Sequence, residues 1–302
     1  MAMLLTLAVV VVMVVVRAWG VELPGGTSRD AVSTVNWDTE ADVTFIGGGH
    51  AHQKGQKFGS YQEADSSLSL LSTFQTSNNS PVWRAGIEWE RFWFSADPAS
   101  AVPSALESLN LRLGADLQVT PAIFMRVDAL PGFYGDLRRL STRQFNIPLE
   151  LGASYVYSDR LYFIIGAEVN YELNFPVFPA IGFLWRVNDK LTINGVAPKP
   201  SLEYKLTDAL ILHVGGQFSE TPYRVNTDFG RIRGVKKLDN AIVQFDEIRA
   251  GGGLTWKLNK VFSLDVEAGA VPYRRFDYYR ADYKVLSTNA APYAELSFTA
   301  KF

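Results

Sequence analysis

Apolar and polar residues alternate along most of this chain with a period of two. In the last segment Ala290, Pro292, Ala294, Leu296, Phe298, Ala300 and Phe302 share one face. Asn289, Ala291, Tyr293, Glu295, Ser297, Thr299 and Lys301 share the other. This is the pattern of a β-strand lying between an apolar and a polar medium. It recurs upstream. Leu109, Leu111, Leu113, Ala115 and Leu117 alternate with Asn110, Arg112, Gly114, Asp116 and Gln118. Leu161, Phe163, Ile165, Ala167, Val169 and Tyr171 oppose Tyr162, Ile164, Gly166, Glu168, Asn170 and Glu172. Further segments centre on Val43, Leu70, Ile87, Val127, Leu151, Phe183, Ile193, Leu202, Leu212, Leu254 and Leu264.

The connections order these segments. Tight polar turns are expected at 78–80, 118–121, 158–160, 188–190, 207–208 and 258–260. Longer connections alternate with them at 51–60, 96–106, 130–142, 173–178, 195–200, 220–241 and 277–286. Short turns on one rim and long loops on the other describe an antiparallel up-and-down transmembrane β-barrel. The count is 14 strands, or 12 if Ala197-Pro-Lys-Pro200 kinks one strand instead of joining two. Proline disfavours a sheet interior, which supports a loop there. A soluble β-sandwich would need shorter strands than these, which reach the roughly 9–11 residues that cross a bilayer.

Composition agrees with that reading. Mean hydropathy is +0.01, as expected when lipid-facing and lumen-facing residues cancel. Tyr155, Tyr157, Trp185, Tyr204, Trp256, Phe262 and Phe302 cluster beside the short turns as an interfacial girdle. Trp93, Phe276, Tyr278 and Tyr279 fall near the opposite rim. Net charge is −2 with no long basic run, which argues against a nucleic-acid partner. The chain has no Cys, so thiolate chemistry and disulfides are excluded. The apolar run Met3–Val16, followed by Ala18 and Gly20, predicts a signal peptide over residues 1–20, hence export. Residues 21–40 carry no clear period and are expected to form a periplasmic lead-in, with the barrel over 41–302.

The final alternating strand ending in Phe302, with Phe298 on the same face, resembles the terminal strand of Gram-negative outer-membrane β-barrels. The resemblance implies an outer-membrane location, contact with membrane lipid, and an assembly signal at Phe298 and Phe302 read by the barrel-assembly machinery. Asn188-Asp-Lys-Leu, Pro198-Lys-Pro-Ser-Leu-Glu-Tyr204 and Thr207-Asp-Ala-Leu210 further resemble exported barrels grouped only as domains of unknown function.

The candidate site is the charged lumen face: Arg84, Glu88, Glu90, Arg112, Asp116, Arg126, Asp128, Glu150, Glu168, Glu247, Arg249, Asp265, Glu267 and Arg275. Such charges either pair between neighbouring strands and stiffen the barrel or form a constriction that selects solutes. The expected function is a narrow channel or transporter for small solutes. The alternative is a structural or receptor barrel with a closed lumen. No enzyme, cofactor or metal is expected. His213 and Ser219 share a face but stand ~20 Å apart, too far for a nucleophile and its base. His50 and His52 have no third ligand spaced nearby. Gly47-Gly-Gly49 and Gly251-Gly-Gly253 lack the residues of a phosphate loop and mark bends or close approaches. The basic loop 221–239, with Arg231, Arg233, Lys236 and Lys237, offers lipopolysaccharide phosphates a contact, or narrows the pore if it folds inward.

Overall fold

The computed structural model describes residues 35–53, 56–77, 80–97 and 100–302. The expected signal peptide, most of the lead-in and residues 78–79 of the first short turn lie outside them. Seventeen strand segments form one sheet, and three pairs of consecutive segments continue one another across short interruptions, giving a closed antiparallel barrel of 14 strands. They are β1 (Val35–Gln53), β2 (Gln56–Gln75), β3 (Val82–Ser95), β4 (Ala105–Thr120), β5 (Ile123–Ala129 with Gly132–Gly135), β6 (Phe145–Asn146 with Leu149–Ser158) and β7 (Leu161–Val169). The second half comprises β8 (Val177–Arg186), β9 (Leu191–Asn194), β10 (Ser201–Lys205), β11 (Leu210–Arg224), β12 (Ile242–Lys257), β13 (Phe262–Tyr278) and β14 (Tyr283–Ser287 with Ala291–Lys301). Closure is between β1 and β14, in register from Asp38↔Lys301 to Ile46↔Tyr293. Phe302 adds a reciprocal pair with Trp37, N–H to carbonyl at 2.8 and 3.0 Å.

The outward face is apolar around the wall. Phe45, Leu70, Ile87, Leu111, Val127, Leu151, Ile165, Ile181, Leu212, Val266 and Leu296 are all exposed, Phe45 and Ile181 by about two thirds (65% and 66%). An apolar surface this continuous is tolerated only against lipid. Tyr155, Tyr157, Trp185, Tyr204, Trp256 and Phe302 are exposed beside the short turns, and Phe262 stacks on Phe298 at 5.7 Å. Arg91, the charge that interrupts the apolar face of β3, is neutralised there. It lies 3.6 Å from Glu107 and over the Trp93 ring, while Trp89 Nε1 donates to the same carboxylate at 2.9 Å.

Several boundaries differ from the sequence reading. β1 already includes Val35, before the expected boundary at 41, and Val35 and Trp37 share the exposed apolar phase of Val43 and Phe45. The connection expected at 51–60 is mostly ladder, paired out to Gln53↔Gln56. His50 and His52 therefore lie on β1, not in a loop. At 195–200 the chain does connect two strands, since Leu191↔Tyr204 and Ile193↔Leu202 pair in a hairpin.

One departure shapes the interior. β10 pairs with β11 only up to Ser201↔Gly215. Below that point Val214 faces lipid at 56% exposure, whereas Phe218 above it is 1% exposed. The end of β11 then meets β5, with Arg224 opposite Gly135. β11 stays paired with β12 throughout, from Leu210↔Trp256 to Arg224↔Ile242, and bonds residues 198–200 as far as Phe218, so it is a wall strand whose loop end closes on β5. At the loop end it closes a smaller ring from β1–β5 and β11–β14, and sets β6–β10 apart as a lateral lobe.

Candidate functional site

The buried aromatic cluster at the loop end follows from that closure. Tyr61, Phe92, Phe94, Leu106, Tyr134, Tyr223, Val243, Phe245, Phe276, Tyr278, Tyr283 and Val285 all come from strands of the smaller ring, none from β6–β10. Phe245 and Phe276 stack at 4.8 Å, and Phe94 meets both edge-on at 5.3 and 5.0 Å. Phe276 and Tyr278 lie at the rim opposite the short turns, as expected, but buried in the interior. A bulge between Ile248 and Ala250 shifts the β12–β13 register by one residue and turns both rings inward. The same bulge places Arg274 beside Glu63 at 3.1 Å, while its neighbour Arg275 pairs with Asp246 on the other face of β13.

Two long connections complete this seal. Ala101 and Val102 from 96–104, and Phe229 and Leu238 from 225–241, are buried in the same cluster. Arg233 joins the two. Its guanidinium covers the Phe229 ring at 3.9 Å and donates to the Ser100 carbonyl at 2.9 Å. Burial lowers its pKa from the usual arginine value. Of the four cations in this basic loop, Arg233 is therefore turned inward. Arg231 pairs with Asp239 at 3.0 Å and Lys237 donates to the Asp282 carbonyl at 3.1 Å.

Below the seal lie two ion-pair networks that hold most of the sequence-predicted charges. On β3–β6, Arg112 binds Glu88 at 2.6 Å, Glu150 at 2.9 Å and Asp128 at 3.2 Å. Arg84 reaches Asp128 at 3.3 Å and Asp116 at 3.8 Å, and Arg126 donates to Asp116. Across the barrel, Arg249 contacts Asp65 at 2.6 Å, Glu295 at 3.1 Å and Glu247, with the Thr44 hydroxyl at 3.1 Å. Arginine suits this position because its planar fork serves several carboxylates at once. Glu63, Asp65, Arg274 and Glu295 belong to this layer but were not singled out from sequence. The serine-rich β2 obscured its phase, although Tyr61, Glu63 and Asp65 do alternate against Ala64, Ser66 and Leu68. Of the remaining predicted residues, Glu90 accepts from the Tyr223 hydroxyl at 3.1 Å under the seal. Glu168 lies in the lateral lobe and accepts from Asn170 at 3.3 Å. Arg224 meets Glu172 in the same lobe at 2.7 Å.

Toward the short turns the interior retains solvent-accessible polar surface. Asp116 and Asp265 keep 31% and 24% of their side-chain area exposed. Here His213 of β11 reaches across β12 to β13. Its Nε2 lies 2.9 Å from Asp265 Oδ2 and its Nδ1 3.5 Å from Glu267 Oε2. The register makes this possible, because His213, Gly253 and Glu267 form one cross-strand row. A Cβ on Gly253 would stand 2.6 Å from His213 Nε2. The glycine run noted in the sequence is thus a path for side chains over β12, since Tyr293 likewise crosses Gly251 to donate to Glu267. Ser219, six residues along, is no part of this contact.

No curated protein matches the sequence. Among solved structures, the chain is similar to the COG4313 outer membrane channel from Pseudomonas putida F1, with a TM-score of 0.45, 12% identity, and 93% and 100% of the two chains covered. A TodX monoaromatic hydrocarbon channel mutant gives 0.41 at 9% identity over 90% and 91%. The translocator domain of the autotransporter NalP from Neisseria meningitidis gives 0.38 at 10% identity over 91% and 90%. The family model described as "Domain of unknown function (DUF6268)" matches residues 49–300, most of the sequence and twelve complete strands of the wall (β2–β13), and the chain therefore belongs to that family.

Proposed function

We propose that the protein is a gated outer-membrane channel for small solutes. One observation carries this reading. The interior is polar and solvent-accessible from the short-turn end, while the seal at the loop end is completed by two connections that are not part of the wall. A filled structural barrel has no need of an accessible polar vestibule under a detachable cover. In this reading a solute passes the aromatic ring by way of the lateral lobe, whose interior residues Glu168, Glu172, Glu220 and Arg224 are polar. The ion-pair layer favours the second reading, a barrel with a closed lumen and no transport, because paired charges fill space and stiffen the wall.

Planar-bilayer conductance separates the two. Asn226 and Asn240 are joined by a backbone hydrogen bond of 2.9 Å, so residues 227–239 can be replaced by a two-residue turn without moving β11 or β12. The channel reading expects rare, small openings for the native chain and steady conductance for the shortened one. The Arg233→Ala variant should fall between them. Silence from all three, with folding verified by heat-modifiable mobility, would establish the closed barrel. Within the proposal, Phe298 and Phe302 serve recognition by the barrel-assembly machinery, and exposed Arg231 and Lys236 meet lipopolysaccharide phosphate.

A further inference from the structure

The cluster around His213 plays no part in the gate, and its composition points to a ligand of its own. Three features distinguish it from the other lumen charges. It joins an imidazole to two carboxylates, whereas the neighbouring networks are built on guanidinium groups that cannot ligate a metal. Its carboxylates are oriented by neutral hydroxyls: Thr255 donates to Asp265 and Tyr293 to Glu267. Such partners fix ligand direction without supplying a competing cation. Finally, it lies in the accessible vestibule, where an ion can enter from the short-turn side.

The geometry points to a divalent-cation site formed by His213, Asp265 and Glu267, of the class that takes Zn²⁺ or a similar borderline metal. One ligand atom from each of the three residues lies within 4.8 Å of the other two. Tetrahedral ligands at about 2.0–2.1 Å from one metal stand roughly 3.3 Å apart, so His213 Nε2 and Asp265 Oδ2, hydrogen-bonded at 2.9 Å, need to separate by only a few tenths of an ångström to hold one ion. Glu267 flanks the ring at 3.5 Å and completes the set by a side-chain rotation, held meanwhile through its other oxygen. Glu203 of β10, directly across the ladder from His213, faces the same space. Nitrogen with carboxylate oxygen suits zinc better than magnesium or calcium, which prefer all-oxygen shells. The glycine run acquires a purpose here, because a side chain at residue 253 would push the imidazole off its carboxylates.

The test is isothermal titration of Zn²⁺ into the refolded, chelator-stripped full-length barrel at pH 8, where protons compete least. The expected result is one saturable site, weakened at least a hundredfold in His213→Gln and in Glu267→Gln. Thr255→Val should weaken it about tenfold through lost orientation, and Ser219→Ala should match the native chain. His213→Gln retains volume and a hydrogen-bond donor for Asp265, so the fold survives the test, as mobility on unheated gels verifies. Absence of Zn²⁺ uptake by the native barrel would mean that the imidazole holds a proton between its carboxylates and nothing else, and the proposal fails. Native-like binding by His213→Gln would also overturn it. Neither outcome bears on conductance, so this proposal and the channel reading stand or fall separately.

Discussion

Arg249→Met is the sharpest test of the interior described above. The guanidinium is surrounded by the buried Asp65 and Glu247 and by Glu295, whose side chain is 9% exposed. Methionine conserves most of the volume and removes the only cation that these three carboxylates share in the described contacts. Leaving buried charges without their partner costs about 3–5 kcal/mol, or roughly two to four powers of ten in the folding equilibrium. Replacing the whole network with apolar residues would cost far less, because the penalty lies in the orphaned carboxylates and not in the lost attraction. Urea unfolding of the refolded barrel in vesicles, followed by tryptophan fluorescence, measures the difference. Lys205→Met supplies the control: its partner Asp208, at 2.6 Å, is exposed at the short turn, and the midpoint should not move. A loss below about 1 kcal/mol for Arg249→Met would refute the reasoning, since that is the scale of a solvated surface pair, and the layer would then have to be hydrated.

Other consequences can be checked in the same preparation. Leu111→Arg, on the lipid face of β4, should cost about 2–4 kcal/mol near the bilayer midplane and lower the folded yield in vesicles. Phe276→Ala should destabilise by about 3–5 kcal/mol because its ring is fully enclosed by Tyr61, Phe94 and Phe245. Gly251→Ala should lower the unfolding midpoint more than Gly216→Ala. The added Cβ would meet the Tyr293 hydroxyl at 2.3 Å and the Ala268 carbonyl at 2.7 Å, against 3.2 Å to the Arg249 carbonyl at Gly216. At the turn, the hydrogen bond and charge of Lys205 hold the Asp208 carboxyl below its ordinary pKa. Any stability it lends is present at neutral pH and lost as pH falls through that depressed folded value. Asp208→Asn should abolish that part of the pH dependence.

Much of this barrel was legible without coordinates, and for one reason. A wall between oil and water assigns each successive side chain to the opposite solvent, so Leu109–Leu117 or Leu161–Tyr171 declare a strand and its faces by local sequence alone. Turn lengths then give strand number and polarity, as the hairpins around 188–190 and 195–200 illustrate. Where both faces look polar, as along Gln62–Ser69 of β2, the phase is hidden until a partner strand fixes the register. The interior is different, because its contacts join residues far apart in the chain. No local period reveals that the loop end of β11 closes on β5, or that one bulge beside Ala250 turns Phe276 and Arg274 inward. Nor does it reveal that His213 and Glu267 share a row across Gly253. Solvent preference acts on each residue separately and is written locally. Register, the meeting of β11 with β5 and side-chain reach depend on pairs of strands, and they exist only once the sheet has closed.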